Sequence, residues 1–289
     1  MKTLKFATAR QSQPALWLLL LLSGASALVH AQEAVAQTDD EKPQIIRPER
    51  SDGTSKKLIS NYLAASGGAA KHRLLRNVKV TGEYKEAKDL KYFTLVETDT
   101  GQRYLKLHWK LRGIEYEQIY AYDGVETWQH RPIPDDGKRN LPKNYKGRSG
   151  IHFAHQRWFF HPFNLPLSAK YVFEYQGTDE VAERSSYMVV GYGPKDERTW
   201  FYFDQQTFLV TRWGGIGPVS GGQAYLDYQA KGFRPVDGIF LPTGLIMLAK
   251  GQPYGEISFK TIETNVAIEE DLFTKPTVTI PTLRQVPVQ

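Results

Sequence analysis

The sequence predicts a mainly β protein with two or three helices, built on one strongly curved antiparallel sheet, a half-barrel or a barrel. Three observations carry this reading. Apolar and polar residues alternate with period two in a series of short runs from Val78 to Glu263. Turn chemistry separates those runs at Asp99-Thr-Gly101, Arg112-Gly113 and Tyr122-Asp-Gly124. Helical spacing is confined to a stretch after Ser51 and a second one after Gly150.

Taken in order, residues 1–31 read as a secretory signal peptide. Lys2, Lys5 and Arg10 precede the apolar run Ala15–Leu22, and small residues lead to Ala31, after which cleavage is expected. The apolar core spans roughly half of the ~20 residues a spanning helix needs, and an uncleaved anchor is the alternative. Residues 32–50 are polar, carry Pro43 and Pro48 and lack periodicity, which predicts a disordered lead-in. A single domain is then expected over residues 51–276, with a flexible tail at 277–289.

Ser51 or Asp52 can cap a helix to about Ser66, with Leu58, Ile59, Tyr62 and Leu63 on one face. Gly67-Gly68 ends it, and a shorter helix is expected over 69–75. Strands follow: Val78, Val80 and Tyr84 share a face, as do Leu105, Leu107 and Trp109, and then Ile114, Tyr116, Tyr120 and Tyr122. Residues 131–148, with Pro132, Pro134 and Pro142, read as a long polar loop. Ile151–Phe163 reads as a short aromatic helix ended by Pro162. Further strands are expected over 170–176, 186–191, 199–204, 208–213, 223–229, 239–249 and 255–263, which makes about ten to twelve in all. Gly214–Gly222 reads as a flexible hairpin connection. Thr199–Phe203 is apolar on both faces, as a strand would be if one face met a helix or a ligand.

Composition narrows the function. The 289 residues contain no cysteine, which excludes disulfides, thiolate metal sites and a thiol nucleophile. Hydrophobic residues make up 41% and charged ones 24%, ordinary values for a folded chain. Loss of residues 1–31 removes three basic and no acidic side chains, so the formal charge falls from +6 to +3. Basic residues are interspersed with acidic ones, which argues against nucleic-acid binding. The longest later apolar run, 238–249, contains Pro242 and Gly244, so no transmembrane segment is expected in the mature chain.

Five stretches, taken together, carry a resemblance. They are Asn61–Ala70 with Leu75–Gly82, Tyr122-Asp-Gly-Val-Glu-Thr-Trp128, Phe201–Arg212, Asp227–Ala230 with Pro235–Pro242, and Asn265–Pro276. In this order the chain resembles a distant member of the outer-membrane lipoprotein-sorting family, with a LolA/LolB-like fold, over about residues 57–276. The resemblance implies an unclosed β-barrel with a helical lid, enclosing an apolar cavity that holds acyl chains. It further implies a soluble periplasmic carrier of lipid or lipoprotein acyl chains. A lipid-anchored member needs a cysteine after the signal, which this chain lacks.

The candidate ligand-binding residues are aromatic, in keeping with 16 Tyr, 14 Phe and 6 Trp. Trp158, Phe159, Phe160 and Phe163 are lid candidates. Trp109, Tyr116, Tyr120, Tyr171, Phe173, Phe201 and Trp213 are wall candidates. The competing reading is that they fill an ordinary core. Burial of an acyl chain at roughly 25 cal/mol per Å² contributes several kcal/mol. His152, His155 and His161 lack a nearby carboxylate, so no metal and no cofactor are expected. Gly147-Arg-Ser149-Gly150 and Ser220-Gly-Gly222 do not form a G-x-S-x-G elbow, and Gly214–Gly222 lacks the Lys-Ser/Thr of a phosphate loop. Asp135-Asp136 and Glu269-Glu270 read as solvated turn charge. No catalytic residue is named. The alternatives to an acyl-chain binder are an envelope protein-interaction module without lipid, and a hydrolase whose site comes from distant residues.

Overall fold

The computed structural model describes residues 47–87, 89–131, 141–164, 170–193, 197–219 and 222–277. The expected signal peptide, most of the lead-in, Asp135-Asp136 and nearly all of the tail lie outside the described residues. Helix α1 (Gly53–Ala65) begins at the N-cap Asp52, whose Oδ1 accepts the Ser55 N–H at 2.8 Å. Its other oxygen accepts the Tyr175 N–H at 2.7 Å, so the cap also ties the helix to the sheet. Leu58 and Tyr62 are buried, one turn apart, as the apolar spacing predicts. Helix α2 (Ala69–Leu74) follows the two glycines. Gly67 has φ +126°, and a Cβ there would stand 2.3 Å from the Gly238 carbonyl oxygen.

Strands β1 (Asn77–Glu86), β2 (Asp89–Thr98), β3 (Arg103–Leu111), β4 (Ile114–Tyr122), β5 (Thr127–His130) and β6 (Lys143–Asn144) form an antiparallel meander. Helix α3 (Gly147–His155) and a 3₁₀ turn (Pro162–Asn164) lead to the second half. That half holds β7 (Val172–Val181), β8 (Arg184–Tyr192), β9 (Arg198–Asp204), β10 (Val210–Val219), β11 (Gly222–Ala230), β12 (Phe233–Val236), β13 (Ile239–Pro242), β14 (Gly244–Ala249) and β15 (Gln252–Thr264).

Thirteen strands join in the order β6-β5-β4-β3-β2-β1-β15-β14-β11-β10-β9-β8-β7, with β12 and β13 as a separate hairpin. Among the described residues β6 and β7 do not pair, so the sheet curves without closing. The two halves meet where β1 pairs with β15. A bulge at Thr81/Gly82 adds twist there, and a Cβ at Gly82 would lie 2.2 Å from the Ser258 carbonyl oxygen. The predicted fold class therefore stands: mainly β, an open curved antiparallel sheet and helices over its hollow side.

The core fills the concave face. Val78, Val80, Phe93, Leu95, Phe201, Phe203, Trp213, Leu245 and Ile257 pack beneath Leu58 and Tyr62 of α1 and beneath Trp158, Phe159, Phe160 and Phe163. Among the described residues no helix is long and apolar enough to cross a membrane.

Several expected boundaries move, each for a physical reason. The Ile151–Phe163 segment is not one helix ended by Pro162; α3 starts at Gly147 and stops at His155. Gln156 N–H makes the last bond one turn back, to His152 O, Arg157 N–H turns to His155 O, and Trp158 N–H and Phe159 N–H donate to the Glu97 carboxylate. The glycine stretch expected as a flexible connection is mostly strand, because β10 runs to Val219. Residues 239–249 split at Thr243, whose N–H donates to Gly232 O, and the two parts join different partners. Strand β2, which no alternation announces, is buried on both faces at Leu95 and Val96. On β9 one apolar face, Phe201 and Phe203, meets Tyr62 of α1 and Phe163 as expected, and the other packs within the sheet. Trp200 and Tyr202 pack across strands with Val181, Val190 and Tyr192, and Arg212, paired to Asp227, lies over Tyr202.

Candidate functional site

Helix α3 crosses the concave face opposite β10, and small residues let it approach closely. A Cβ at Gly217 would stand 2.6 Å from His152 Nδ1, and one at Gly215 would stand 2.2 Å from Gln156 Nε2. Gly150, on the helix, comes close to Tyr145 O and Thr127 Oγ1. A larger side chain at any of these positions would lift the helix from the sheet.

The chain after α3 is anchored by buried charge. Glu97 is 0% exposed, Arg103 3% and Arg157 6%. Arg103 Nη1 donates to the carbonyls of Phe153 and Gln156, both at 2.8 Å, where the helix C-terminus favours a cation. Arg103 Nε lies 3.1 Å from Glu97 Oε1. Glu97 accepts Trp158 N–H at 3.0 Å and Phe159 N–H at 3.0 Å. Arg157 lies on the same cluster, and Trp213 Nε1 donates to its carbonyl at 2.8 Å. Burial pulls the Arg157 guanidinium down to about 10, against the pull of Glu97. Ions so deeply buried are tolerated only with such partners.

Between this anchored segment, α3 and strands β1 to β4, β11, β14 and β15 lies a cavity of about 200 Å³. Phe93, Leu105, Leu107, Met247 and Ile257 form its apolar walls, with Phe153 and Trp158 from the α3 side. Tyr84, Tyr120, Tyr145, Tyr228 and Tyr254 add rings with hydroxyls, and Arg103, Ser149 and His152 add polar groups. Burial pushes the Tyr120 hydroxyl up to about 12, and it raises Tyr84, Tyr228 and Tyr254 as well. All four stay protonated at neutral pH. Burial, with Arg103 nearby, pulls His152 down to about 4, so its imidazole is neutral there.

The eleven aromatic candidates fall into three places. Tyr120 and Trp158 line the cavity. Trp109 and Tyr116 stack at 5.6 Å further along the same faces of β3 and β4, with Lys91 Nζ 5.4 Å from the Trp109 ring. Phe159, Phe160, Phe163, Phe173, Phe201 and Trp213 belong to the closed core, and Tyr171 stacks on Phe173 at its margin. Sequence reasoning missed Tyr84, Arg103, Tyr228, Met247 and Tyr254, which reach the cavity from strands far apart in the chain. Leu105 and Leu107 were legible, since alternation already placed them on the Trp109 face.

The three histidines do not converge. His155 Nε2 lies 3.3 Å from Glu197 Oε1, and His152 hydrogen-bonds to the Ile216 backbone. His161 is sealed against Trp213 at 4.9 Å, and burial pulls it down to about 3. Among the described residues no three His, Asp or Glu side chains form a metal-sized group.

No protein-family model and no curated protein matches the sequence. Solved structures match in fold. A putative outer membrane lipoprotein-sorting protein domain from Vibrio parahaemolyticus aligns over 76% of this chain and 95% of its own, at 12% identity and TM-score 0.50. A LolA superfamily protein from Nitrosomonas europaea aligns over 76% and 97%, at 13% identity and TM-score 0.47. A DUF1329 family protein from Desulfovibrio piger aligns over 75% and 96%, at 13% identity and TM-score 0.45. The first of these shows that the chain shares the fold of that domain.

Proposed function

We propose that this chain is an exported binding protein that holds an acyl chain, from a lipid or a lipidated protein, in the cavity beneath α3. It performs no chemistry on that chain. The observation that carries this reading is the cavity of about 200 Å³ walled by Phe93, Leu105, Leu107, Met247 and Ile257. A dry, apolar engineered cavity of about 150 Å³ already takes up benzene, whereas drug-sized ligands occupy about 300–1,000 Å³. The space thus suits a segment of one chain, each buried methylene contributing about 0.8 kcal/mol. Longer chains require α3 to lift from its glycine bed. Export rests on the charge and apolar pattern of residues 1–31.

A hydrolase is disfavoured by the surroundings of Ser149 and His152, which both line the cavity. A triad needs a carboxylate to orient its histidine. Here the ring bonds to the Ile216 backbone beside Arg103, and Glu97 is engaged by Arg103 and two backbone amides. Mass spectrometry of organic extracts from gently purified protein tests the reading. Co-purifying lipid near one equivalent is the expected result. Lipid-free extracts, together with no uptake of a fluorescent fatty acid, would overturn it in favour of a protein-interaction module.

A further inference from the structure

We propose that the ligand is a single-chain carboxylate that enters head-first, its carboxylate against Arg103 and Trp158 and its chain running out along β3; this rests on the acyl-binding reading above. Unsatisfied polar atoms make the first argument. Trp158 Nε1 is buried in the cavity lining, interacting weakly with the Tyr228 hydroxyl and making no well-formed hydrogen bond. Arg103 Nε, 3.1 Å from Glu97, makes no aligned hydrogen bond. An acceptor arriving from the cavity therefore completes these two donors.

Charge supplies the second argument. Arg103 is a buried cation at the closed end, and its partner Glu97 is also engaged by Trp158 N–H and Phe159 N–H, while Arg157 donates to the Thr98 and Gln102 carbonyls. An arriving anion gives the buried Arg103 guanidinium a second charged partner in a low-dielectric setting. A cationic head is repelled there, and a neutral head gains less.

The direction follows from exposure along the inner face of β3. Arg103 is 3% exposed, Leu105 and Leu107 are half-buried, Trp109 stacks on Tyr116, and Leu111 is 51% exposed. The polar end is therefore the closed end, and the apolar path leads outward. A lipid entering tail-first would set its terminal methyl against the Arg103 guanidinium and Trp158 Nε1. One entering head-first satisfies them and lays its chain on Leu105, Leu107 and the Trp109–Tyr116 stack.

Titration calorimetry with octanoate, octyl phosphate, 1-octanol and octyltrimethylammonium on the delipidated full-length protein tests this. Octanoate should bind at least about tenfold more tightly than octanol, the equivalent of one charge-assisted hydrogen bond, and the cation should not bind. Trp158→Phe, which keeps the ring and removes the N–H, should cost octanoate about tenfold and leave octanol within about twofold. Octanol binding as tightly as octanoate would overturn the head-first carboxylate while leaving acyl binding intact. Tighter octyl phosphate would overturn the carboxylate class. Failure of every probe would overturn both readings.

Discussion

The Glu97 carboxylate on β2 accepts the backbone N–H of Trp158 at 3.0 Å, linking a buried strand residue to the segment that follows α3. That contact holds the chain just past the helix end, seats the aromatic cluster on the concave face and sets one wall of the cavity. Glu97→Gln keeps the shape but removes the charge that pairs with Arg103 and favours the Arg157 cation. It should destabilise the protein by about 3–5 kcal/mol in urea unfolding, the cost of leaving a buried cation unpaired. Arg103→Met in the same chain should return part of that loss, and a purely additive double mutant would refute the coupling.

The glycines under α3 make a second prediction. Gly217→Val places methyl groups where the His152 ring and Leu226 now stand. An overpacking cost of about 1–3 kcal/mol is expected. Limited proteolysis should then cut near Gly147–His155 sooner than in the parent chain. Unchanged cleavage would mean that α3 does not rest on this strand as described.

Filling the cavity separates binding from stability. Leu107→Trp adds a large ring to a half-buried wall position at the margin of the core. Fatty-acid uptake, followed by fluorescence, should fall at least about tenfold, a change of about 1.4 kcal/mol. The melting temperature should stay close to that of the parent. Retained uptake would place the ligand elsewhere.

Acid sensitivity should follow from His161. Burial among Tyr62, Phe163, Phe201 and Trp213 holds its imidazole at about 3, below the ordinary value near 6.5. The unfolded chain therefore takes up a proton that the folded chain refuses. Its contribution is fully present above about pH 6.5 and falls away as pH drops toward 3. Because His152 and His72 are also held low by burial, they add to the same slope. His161→Phe should reduce the slope of unfolding free energy against pH in that window by up to about 1.4 kcal/mol per pH unit. An unchanged slope would show that His161 titrates normally.

Much of the fold can be read in the residues themselves. Alternation at Leu105, Leu107 and Trp109, the Asp52 cap, and Asp123 and Asp204 closing their turns through backbone N–H bonds are local signals, and each appears in the structure. The candidate site is legible only in part. Trp109, Tyr116, Tyr120 and Trp158 lie at or beside the cavity, while Phe160, Phe201 and Trp213, equally aromatic, are spent on the core.

Strand period, turn placement and helix capping depend on neighbours a few residues apart, so the amino-acid sequence by itself determined that this chain makes an antiparallel sheet with helices over it. Which apolar surface remains open depends on pairings across the whole chain. Glu97 meets Trp158, Gly217 meets His152, and Tyr84, Tyr228 and Tyr254 converge from three strands. A cavity is the volume that packing fails to fill, and no local pattern encodes it; only the tertiary structure decided where it lies and that its closed end is charged.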